Sequence, residues 1–395
     1  MTKASQSGAH PPADALYVHV PFCRAKCRYC DFYSLVADDA TGARFVAAAL
    51  VELSLHRSHL RLPLSTVFIG GGTPTSLAHH QLQRLLAAVG GLCDKHTEFT
   101  VEANPGTVDR DGAKLLRACG VNRVSLGVQS FEPKELALLG RIHSAEDARV
   151  AITTLRSAGI TNLSIDLIYA IPSQTPGTWR ASLKQALDLG IDHLSCYALS
   201  FEPGTPLYRD LTAGLLAEMD DSLQRELYQI AIEAASRRGL AHYEISNFAR
   251  SGRQCRQNLT YWHNKPYLGI GPAAASYIDA TRRTNESDLT RYLEAIAAGV
   301  EPPCQSERLG RRATMGETLM LGLRLIEGVD RNEFQQRFGL DPIQAFPRSI
   351  DRYCRQGALI VTDDFIRIAP DALFVADTVL ADIVAEASGQ QVSSQ

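Results

Sequence analysis

The sequence predicts an α/β protein in which a parallel sheet with helical crossovers precedes a smaller C-terminal module. Short apolar runs alternate with amphipathic segments six times between about residues 15 and 238. Such alternation forms a parallel sheet with right-handed crossovers. The unusual polar residues also follow successive predicted strands, where α/β architectures place their active sites. Six units are fewer than the eight of a closed barrel, so an open doubly wound sheet and a partial barrel both remain open.

Composition narrows the class of protein. The chain has 395 residues, more than one ordinary core contains, and its formal net charge is −3, from 40 basic and 43 acidic residues. This balance argues against nucleic-acid binding by bulk charge. The sequence contains no apolar run of about 18 residues, which a membrane-spanning helix would require. An odd count of nine cysteines without an export signal indicates the reducing cytoplasm.

The predicted elements follow from hydrophobic periodicity. The strands, each a short apolar run, are expected at residues 15–20, 66–69, 99–101, 123–128, 163–169 and 193–199. The helices are expected at about residues 40–58, 78–89, 109–118, 132–139, 144–158, 177–189 and 218–238.

The same periodicity, with the changes in composition along the chain, predicts five segments. They are a disordered lead-in at 1–14, the sheet and its crossovers at 15–245, an aromatic-rich segment and linker at 246–303, the C-terminal module at 304–385 and a flexible tail at 386–395. Within this plan, residues 243–277 are expected to be irregular and residues 288–298 helical. Three helices at 314–325, 331–338 and 342–356, with strands at 359–361 and 365–368, predict a winged-helix-like α+β module. Its mixed charge favours an interaction or lid role over DNA binding.

The sharpest motif is the crowded set Cys23, Cys27 and Cys30, which follows the first strand directly. Thiolates at this density bind metal or an iron–sulfur cluster. Three core residues on a helix are one alternative, but Pro21 and the position after a strand oppose it. Structural zinc with His19 as a fourth ligand is another. Three thiolates can also hold three irons of a four-iron cluster and leave the fourth iron open.

The remaining candidates follow the other strands. A glycine run at 70–72, followed by Thr-Pro, ends the second strand, where bare backbone can approach a ligand and offer N–H groups. Glu102 could accept hydrogen bonds from hydroxyls, Gln129 offers an amide, and Arg141 could pair with a carboxylate. Asp166 lies within an apolar strand, which is costly without a partner. Each alone is an ordinary polar residue, but together they occupy corresponding points of successive units.

The cysteine motif, with Tyr29 before the third cysteine, resembles the radical S-adenosylmethionine superfamily. A narrower resemblance spans roughly residues 15–380. The segments YVHVPFCRAKCRYCDFYS, GGGTPT, VEANP, SLGVQSF, LGRIHS, IDLIYAIPSQT, YALSFEPGT and LGIGPAAAS are similar to the oxygen-independent coproporphyrinogen III oxidase-like family. The resemblance implies a partial six-unit (β/α) barrel of radical S-adenosylmethionine type, with a C-terminal domain of the HemN type.

The resemblance also implies cofactors. The three cysteines would be the metal ligands of a 4Fe-4S cluster, and S-adenosyl-L-methionine would chelate its open iron. No catalytic residue is assigned. The positions that the resemblance implies as cofactor contacts are Tyr17, Tyr29, Gly71, Gly72, Thr73, Glu102, Gln129, Arg141, Asp166 and Ala198.

Two branches of this family differ in function. The decarboxylases carry a fourth cysteine two residues after the third, where this chain has Phe32. They also carry a long extension before the cluster loop, whereas about sixteen residues precede Tyr17 in this sequence. Both departures favour the haem-chaperone branch, which binds haem and passes it to an acceptor protein, with a membrane acceptor as one candidate. The alternative is oxidative decarboxylation of coproporphyrinogen III to protoporphyrinogen IX, and a third hypothesis is a structural zinc protein with an interaction role. Enzymatic activity and oligomeric state stay open.

The haem-chaperone branch typically shows His-Asn-x-x-Tyr-Trp in the aromatic-rich segment. This chain reads QNLTYW at 257–262, so Gln257 replaces the histidine, and glutamine is not a normal axial haem ligand. Either His263 or Cys255 would then supply the ligand, or Tyr261 and Trp262 would hold the porphyrin by apolar contact. The sequence leaves both arrangements open.

Overall fold

The computed structural model describes residues 12–36 and 38–389. Its largest sheet has nine strands in the order β7-β8-β6-β5-β4-β3-β2-β1-β9. In chain order these strands are β1 (Ala15–Val20), β2 (Thr66–Gly71), β3 (Glu98–Ala103), β4 (Arg123–Gln129), β5 (Asn162–Tyr169), β6 (His193–Ala198), β7 (Ala241–Glu244), β8 (Asn247–Ala249) and β9 (Leu268–Ile270).

Helices connect the parallel strands as expected. They are α1 (Asp39–Leu55), α2 (His79–Gly90), α3 (Arg110–Ala118), α4 (Pro133–Leu139), α5 (Ala145–Ser157), α6 (Pro176–Asp188), α7 (Pro206–Thr212) and α8 (Asp221–Arg237). The short helix α7 was not expected from the sequence. Among the described residues, no helix combines the length and the apolar character that crossing a membrane requires.

The order of the strands decides between the two architectures. Strands β1 to β6 pair parallel, each with the next in sequence. Right-handed crossovers in such a series all lie on one face, so the sheet curls away from the helices. Strands β7 and β9 end the sheet, which makes it a partial barrel. The predicted fold class is confirmed, and the doubly wound sheet is excluded.

The alternation of residues along each strand separates an apolar face from a polar one. In β5, Ile165 and Leu167 are fully buried against the helices. Asp166 between them points to the concave face, because successive side chains of a strand lie on opposite sides. In β3, Val101 is likewise fully buried, and Glu102 beside it points to the concave face. The concave face therefore collects the polar side chains that the sequence analysis singled out.

The aromatic-rich segment is more regular than expected. Strand β8 pairs antiparallel with β6 and β7, and β9 pairs parallel with β1. Helix α9 (Arg256–Trp262) lies between them, and β10 (Ala275–Ile278) and β11 (Thr281–Asn285) form a hairpin. The prediction of irregular structure was wrong because strands of three to five residues carry too little periodicity to be recognised.

Helix α10 (Leu289–Ala297) is followed by β12 (Cys304–Arg308), which pairs with β11 and so extends the hairpin to a three-stranded sheet. The C-terminal module then consists of α11 (Arg311–Gly322), β13 (Val329–Asp330), α12 (Arg331–Phe338), α13 (Pro342–Ala345), α14 (Pro347–Arg355), β14 (Leu359–Val361), β15 (Phe365–Ile368) and α15 (Ala376–Ala387). Strand β15 lies between β13 and β14.

The single helix expected at 342–356 is two helices in the structure. Phe346 separates them with φ −131° and ψ 59°, outside the helical region. The residue before a proline avoids the helical conformation, and Pro347 lacks the N–H that would continue the helix. The break is therefore a direct consequence of Pro347.

Two expected boundaries of disorder also differ from the structure. Ala13 is fully buried, and its N–H donates to the carbonyl of His59 at 2.9 Å. At the other end, α15 continues through Ala387, and Glu386 is buried. Residues 1–11 of the lead-in and 390–395 of the tail lie outside the described residues.

A buried carboxylate joins the first helix to the segment after β9. Glu52 on α1 is fully buried. One of its oxygens accepts from the Gly271 N–H and the Tyr292 hydroxyl, both at 2.7 Å, and the other accepts from Asn285 Nδ2 at 2.6 Å. Three donors on a distant part of the chain therefore depend on one side chain.

We expect Glu52→Leu to lower the free energy of unfolding by about 3 kcal/mol, because the Gly271 and Tyr292 donors would be buried without an acceptor and Asn285 Nδ2 would keep only the carbonyl of Gly271. The matched control is Ser54→Leu on the exposed side of the same helix, which should change stability by less than about 0.5 kcal/mol. Urea unfolding of the two variants and the wild type measures the difference. Equal losses in both variants would contradict this interpretation.

Candidate functional site

The three cysteines lie on the loop between β1 and α1, which backbone hydrogen bonds hold in place. The Cys23 N–H donates to the carbonyl of Leu35 at 2.9 Å, and the Leu35 N–H donates to the carbonyl of Pro21 at 2.8 Å. Farther along, the Arg28 N–H donates to the carbonyl of Leu139 at the end of α4, at 3.0 Å. The loop is thus closed on itself at one end and tied to the barrel at the other.

A cavity of about 390 Å³ opens where the parallel strands end, and the cysteine loop forms one of its walls. It brings together every site residue predicted from the sequence except Tyr17. The predicted residues that line it are Cys23, Cys27, Tyr29, Cys30, Gly71, Gly72, Thr73, Glu102, Gln129, Arg141, Asp166 and Ala198.

The arrangement of the thiols is not that of a mononuclear metal site. Within 12–36 and 38–389, no three His, Cys, Asp or Glu side chains converge so as to hold one ion. His19 is also engaged at both ring nitrogens, since Nδ1 lies 3.0 Å from the Tyr17 hydroxyl and Nε2 lies 2.9 Å from the Tyr33 carbonyl. The structure therefore does not bring His19 together with the cysteines as a fourth ligand of zinc. Three thiols around one cavity fit a larger cluster.

Two basic residues of the loop have oxygen atoms as partners rather than the thiols. Arg24 donates to the carbonyl of Gly106 at 2.7 Å, and Arg28 forms an ion pair with Asp210. Burial of the Cys30 thiol raises its pKa to about 11. In the protein alone Cys30 is accordingly a neutral thiol at pH 7, and a metal centre bound there has to displace its proton.

The glycine loop after β2 packs directly on the cysteine loop. The Gly72 N–H donates to the carbonyl of Val20 at 2.8 Å, and the Thr73 N–H donates to the carbonyl of Phe22 at 2.6 Å. A Cβ added to Gly72 would lie 2.5 Å from the Phe22 oxygen. Glycine is required at this position because two backbones meet there, and a larger residue would displace the cysteine loop.

Gly71 is a second position of the loop that requires glycine, because its φ of 101° lies in the left-handed region. Its N–H donates to Glu102 Oε2 at 3.2 Å, and a Cβ there would lie 2.5 Å from the His19 ring. The N–H groups of Gly71, Gly72 and Thr73 therefore all have protein acceptors. The expectation that this backbone offers free N–H groups to a ligand was wrong, because the loop uses them to join strands β1 and β3 to its own turn.

The carboxyl groups of Glu102 on β3 and Asp166 on β5 both face the cavity from the concave side of the sheet. Burial, together with the charge of Asp166, raises the pKa of Glu102 to about 7. Burial also raises the pKa of Asp166, against the hydrogen bonds that it accepts from Ser195 at 2.6 Å and Ser125 at 3.1 Å. Asp166 thus has the partners that its position in an apolar strand requires, while Glu102 keeps capacity to accept hydrogen bonds from a ligand.

Arg141 connects the cavity wall to the cysteine loop. Its Nη1 donates to Cys27 Sγ at 3.2 Å, and its Nη2 donates to Asn104 Oδ1 at 2.5 Å and to the carbonyl of Gly127. Asn104 is not among the site residues expected from the sequence. The available signal was the Asn-Pro-Gly turn that follows β3 directly.

Gln129 lies at the end of β4, where the pairing with β5 is interrupted between Gly127 and Gln129. Its φ of 69° is in the left-handed region, which is uncommon for a residue other than glycine. Such strain persists at sites where the surrounding structure imposes it. The bulge directs the Gln129 amide into the cavity.

An aromatic groove of about 500 Å³ adjoins this cavity on the other side of the cysteine loop. Tyr17, the one predicted site residue outside the cavity, lies here. The two spaces share Asp31 and Phe32, and the Phe32 side chain is 64% exposed. The groove is lined by Tyr17, His19, Asp31, Phe32, Tyr33, Tyr261, Tyr267, Ala273 and Ala275.

The candidate haem ligands from the sequence do not line this groove. Gln257 is 1% exposed and its Nε2 donates to the Tyr261 hydroxyl at 2.8 Å, while Cys255 is equally buried. His263 follows α9, and its carbonyl accepts from Arg337 of the C-terminal module. Only Tyr261 of the predicted haem contacts reaches the groove.

Trp262 also faces the C-terminal module. The guanidinium of Arg324 lies 4.6 Å from the centre of its ring, in cation–π geometry. The Trp262 indole is therefore engaged by the protein itself.

Comparison with known proteins agrees with this architecture. Residues 17–186 match the model of the radical SAM superfamily, and residues 309–375 match that of the HemN C-terminal domain. The protein called heme chaperone HemW in Bacillus subtilis is 32% identical over 94% of this chain and 99% of its own length. The protein of the same name in Synechocystis is 38% identical over 82% of this chain and 81% of its own.

Among solved structures, coproporphyrinogen III oxidase (HemN) from Escherichia coli superposes with a TM-score of 0.83 at 22% identity. The match covers 97% of this chain and 92% of the enzyme, and at this identity it establishes the fold. The relatives of higher identity establish the family. The chain belongs to the HemW family of radical S-adenosylmethionine proteins.

Proposed function

We propose that this protein is a haem chaperone, which binds haem beside a 4Fe-4S cluster liganded by S-adenosylmethionine and delivers haem to an acceptor protein. The observation that carries the proposal is the aromatic groove, which shares Phe32 with the cysteine-lined cavity. Apolar and aromatic walls suit a flat porphyrin. The HemW names of the relatives point the same way.

Cys23, Cys27 and Cys30 would hold the cluster, which together with S-adenosylmethionine supplies one-electron chemistry when bound. Glu102 can accept hydrogen bonds from hydroxyl groups deep in the cavity. The Arg141 Nε is buried without a partner, so this guanidinium keeps a donor for an anionic group. The cavity walls reduce access of water to these groups.

The identity of the acceptor and the compartment are parts of the same proposal. Handing on haem requires an open binding site, and the groove is open along one side with Phe32 at its margin. A protein that docks over this margin can reach a porphyrin without unfolding of the barrel. We place the exchange in the cytoplasm, with an acceptor in solution or at the membrane surface.

We expect Phe32→Ala to weaken haem binding about tenfold, because loss of one aromatic contact costs roughly 1.4 kcal/mol. Phe365→Ala is the matched control, since Phe365 is a partly exposed phenylalanine of β15. It should leave the haem affinity unchanged. Gln257→His should also bind haem as the wild type does, because residue 257 is buried beneath Tyr261. Anaerobic haem titration followed by absorbance measures all four proteins.

Two outcomes would contradict the proposed function. The first is a wild-type protein that carries its cluster and shows no haem-dependent spectral change. The second is anaerobic formation of protoporphyrinogen from coproporphyrinogen by that protein, which would favour a decarboxylase instead. A tenfold gain in haem affinity with Gln257→His would indicate that haem binds at the segment around α9 rather than in the groove.

The binding of S-adenosylmethionine should depend on the ionisation of Glu102. This carboxyl interacts with the charges of Asp166 on β5 and Arg123 on β4. The hydroxyls of Tyr17 on β1 and Tyr261 on α9 also face it, and burial together with Glu102 raises the pKa of both, so they remain neutral. Burial and Asp166 dominate and raise its pKa to about 7. An ionised carboxylate accepts hydrogen bonds from two hydroxyls, whereas a protonated carboxyl gives up part of that capacity.

We therefore expect the affinity for S-adenosylmethionine to fall by up to about tenfold per pH unit as the pH is lowered below 7. Glu102→Gln should bind more weakly at pH 8 and lose this part of the pH dependence. The ionisation of the ligand itself affects both proteins equally, so the difference between them isolates Glu102. Equilibrium dialysis of cluster-loaded protein between pH 6 and 8.5 gives the two curves, and parallel curves would contradict the role of Glu102.

A further inference from the structure

Three side chains join two of the cysteines through a continuous chain of four hydrogen bonds. Arg141 Nη1 lies 3.2 Å from Cys27 Sγ, and Arg141 Nη2 lies 2.5 Å from Asn104 Oδ1. The Asn104 Nδ2 lies 2.7 Å from Thr73 Oγ1, which in turn lies 3.5 Å from Cys23 Sγ. Asn104 is the central member, and it touches neither sulfur itself.

The direction of each hydrogen bond follows from the chemistry of the groups. A guanidinium can only donate, so the Asn104 oxygen must face Arg141 and its NH₂ must face Thr73. Thr73 Oγ1 then accepts from Asn104, which leaves its own proton to be donated to Cys23. The orientation of one amide thus makes the Thr73 hydroxyl a donor toward sulfur and keeps the Arg141 guanidinium beside Cys27.

The position of Asn104 is itself fixed by its backbone. Its N–H donates to Thr107 Oγ1 at 3.2 Å, and its carbonyl accepts from the same hydroxyl at 2.7 Å. Thr75 Oγ1 lies 2.6 Å from Thr107 Oγ1 and links this turn to the glycine loop. On the other side, a Cβ at Gly127 would lie 2.9 Å from Asn104 Oδ1, so the neighbouring strand leaves room for the amide. Such a closely held amide is suited to orient other groups.

We propose that Asn104 is a positioning residue that directs one hydrogen-bond donor to Cys23 and one to Cys27, and thereby raises the reduction potential of the cluster. The proposal rests on the cluster proposed above. Reduction adds negative charge to a cluster, and donors to its sulfur atoms stabilise the more negative state. Removal of these donors should make the cluster harder to reduce.

The test is a redox titration of the anaerobically reconstituted full-length protein, followed by electron paramagnetic resonance without S-adenosylmethionine. Omitting the ligand removes any direct contact between Asn104 and S-adenosylmethionine from the comparison. We expect Asn104→Leu to lower the equilibrium constant for one-electron reduction about tenfold, which corresponds to about 59 mV. A residue that only stabilised the fold would change the melting temperature and leave the potential of the loaded protein unchanged.

Changes at Thr73 separate the hydroxyl from the rest of the residue. Thr73→Val removes the donor to Cys23 and should lower the potential, whereas Thr73→Ser keeps a hydroxyl and should restore it. Asn104→Asp is a second variant of nearly the same shape as the wild type. Its carboxylate would still accept from Arg141 but would draw the Thr73 proton away from Cys23, so the potential should fall here too.

A wild-type potential in fully loaded Asn104→Leu would overturn the proposal. If Asn104→Leu binds no iron, the potential of Asn104→Asp is measured instead, and a wild-type potential in that variant would overturn the proposal. If neither binds iron, the Thr73 pair decides: a wild-type potential in Thr73→Val overturns the role of Asn104, and a lowered one restored in Thr73→Ser supports it. A wild-type protein that binds no iron is a different result, because it overturns the cluster itself before any variant is compared.

Discussion

The close contact between the glycine loop and the cysteine loop determines how the site is built. Two backbone hydrogen bonds, from Gly72 to Val20 and from Thr73 to Phe22, join the ends of the first two strands. They require a glycine at 72, because any Cβ would meet the Phe22 backbone. This contact holds the cysteines against the ends of the strands. It also brings the Thr73 hydroxyl to 3.5 Å from Cys23 Sγ.

The curl of the sheet supplies the other half of the arrangement. Because β1 to β6 follow one another in space as in sequence, their concave face gathers residues from β2 to β6 and from the cysteine loop after β1 into one cavity. A carboxylate such as Glu102 is thereby removed from water and placed near Asp166, which raises its pKa. The same curvature leaves the barrel open between β7 and β9. The aromatic groove lies beside β1, next to the cysteine loop.

The sequence was sufficient for the order of the six parallel units, since their strands alternate strongly and their helices are amphipathic. It also located many of the residues that line the cavity, some because they follow strand ends and others through the family resemblance. It could not reveal Asn104, whose importance depends on contacts with Arg141 and Thr73 that are distant in sequence. The burial of Gln257 was equally hidden, since a seven-residue helix carries too little pattern to show which side faces inward.

The most direct test is the iron and acid-labile sulfide content of the anaerobically reconstituted protein. The wild type should contain about four of each per chain, and a variant with serine at Cys23, Cys27 and Cys30 should contain almost none. A control with serine at three cysteines outside the loop, Cys93, Cys119 and Cys304, should match the wild type. Iron and sulfide that persist in the first variant, or are lost in the control, would contradict a cluster held by the loop after β1.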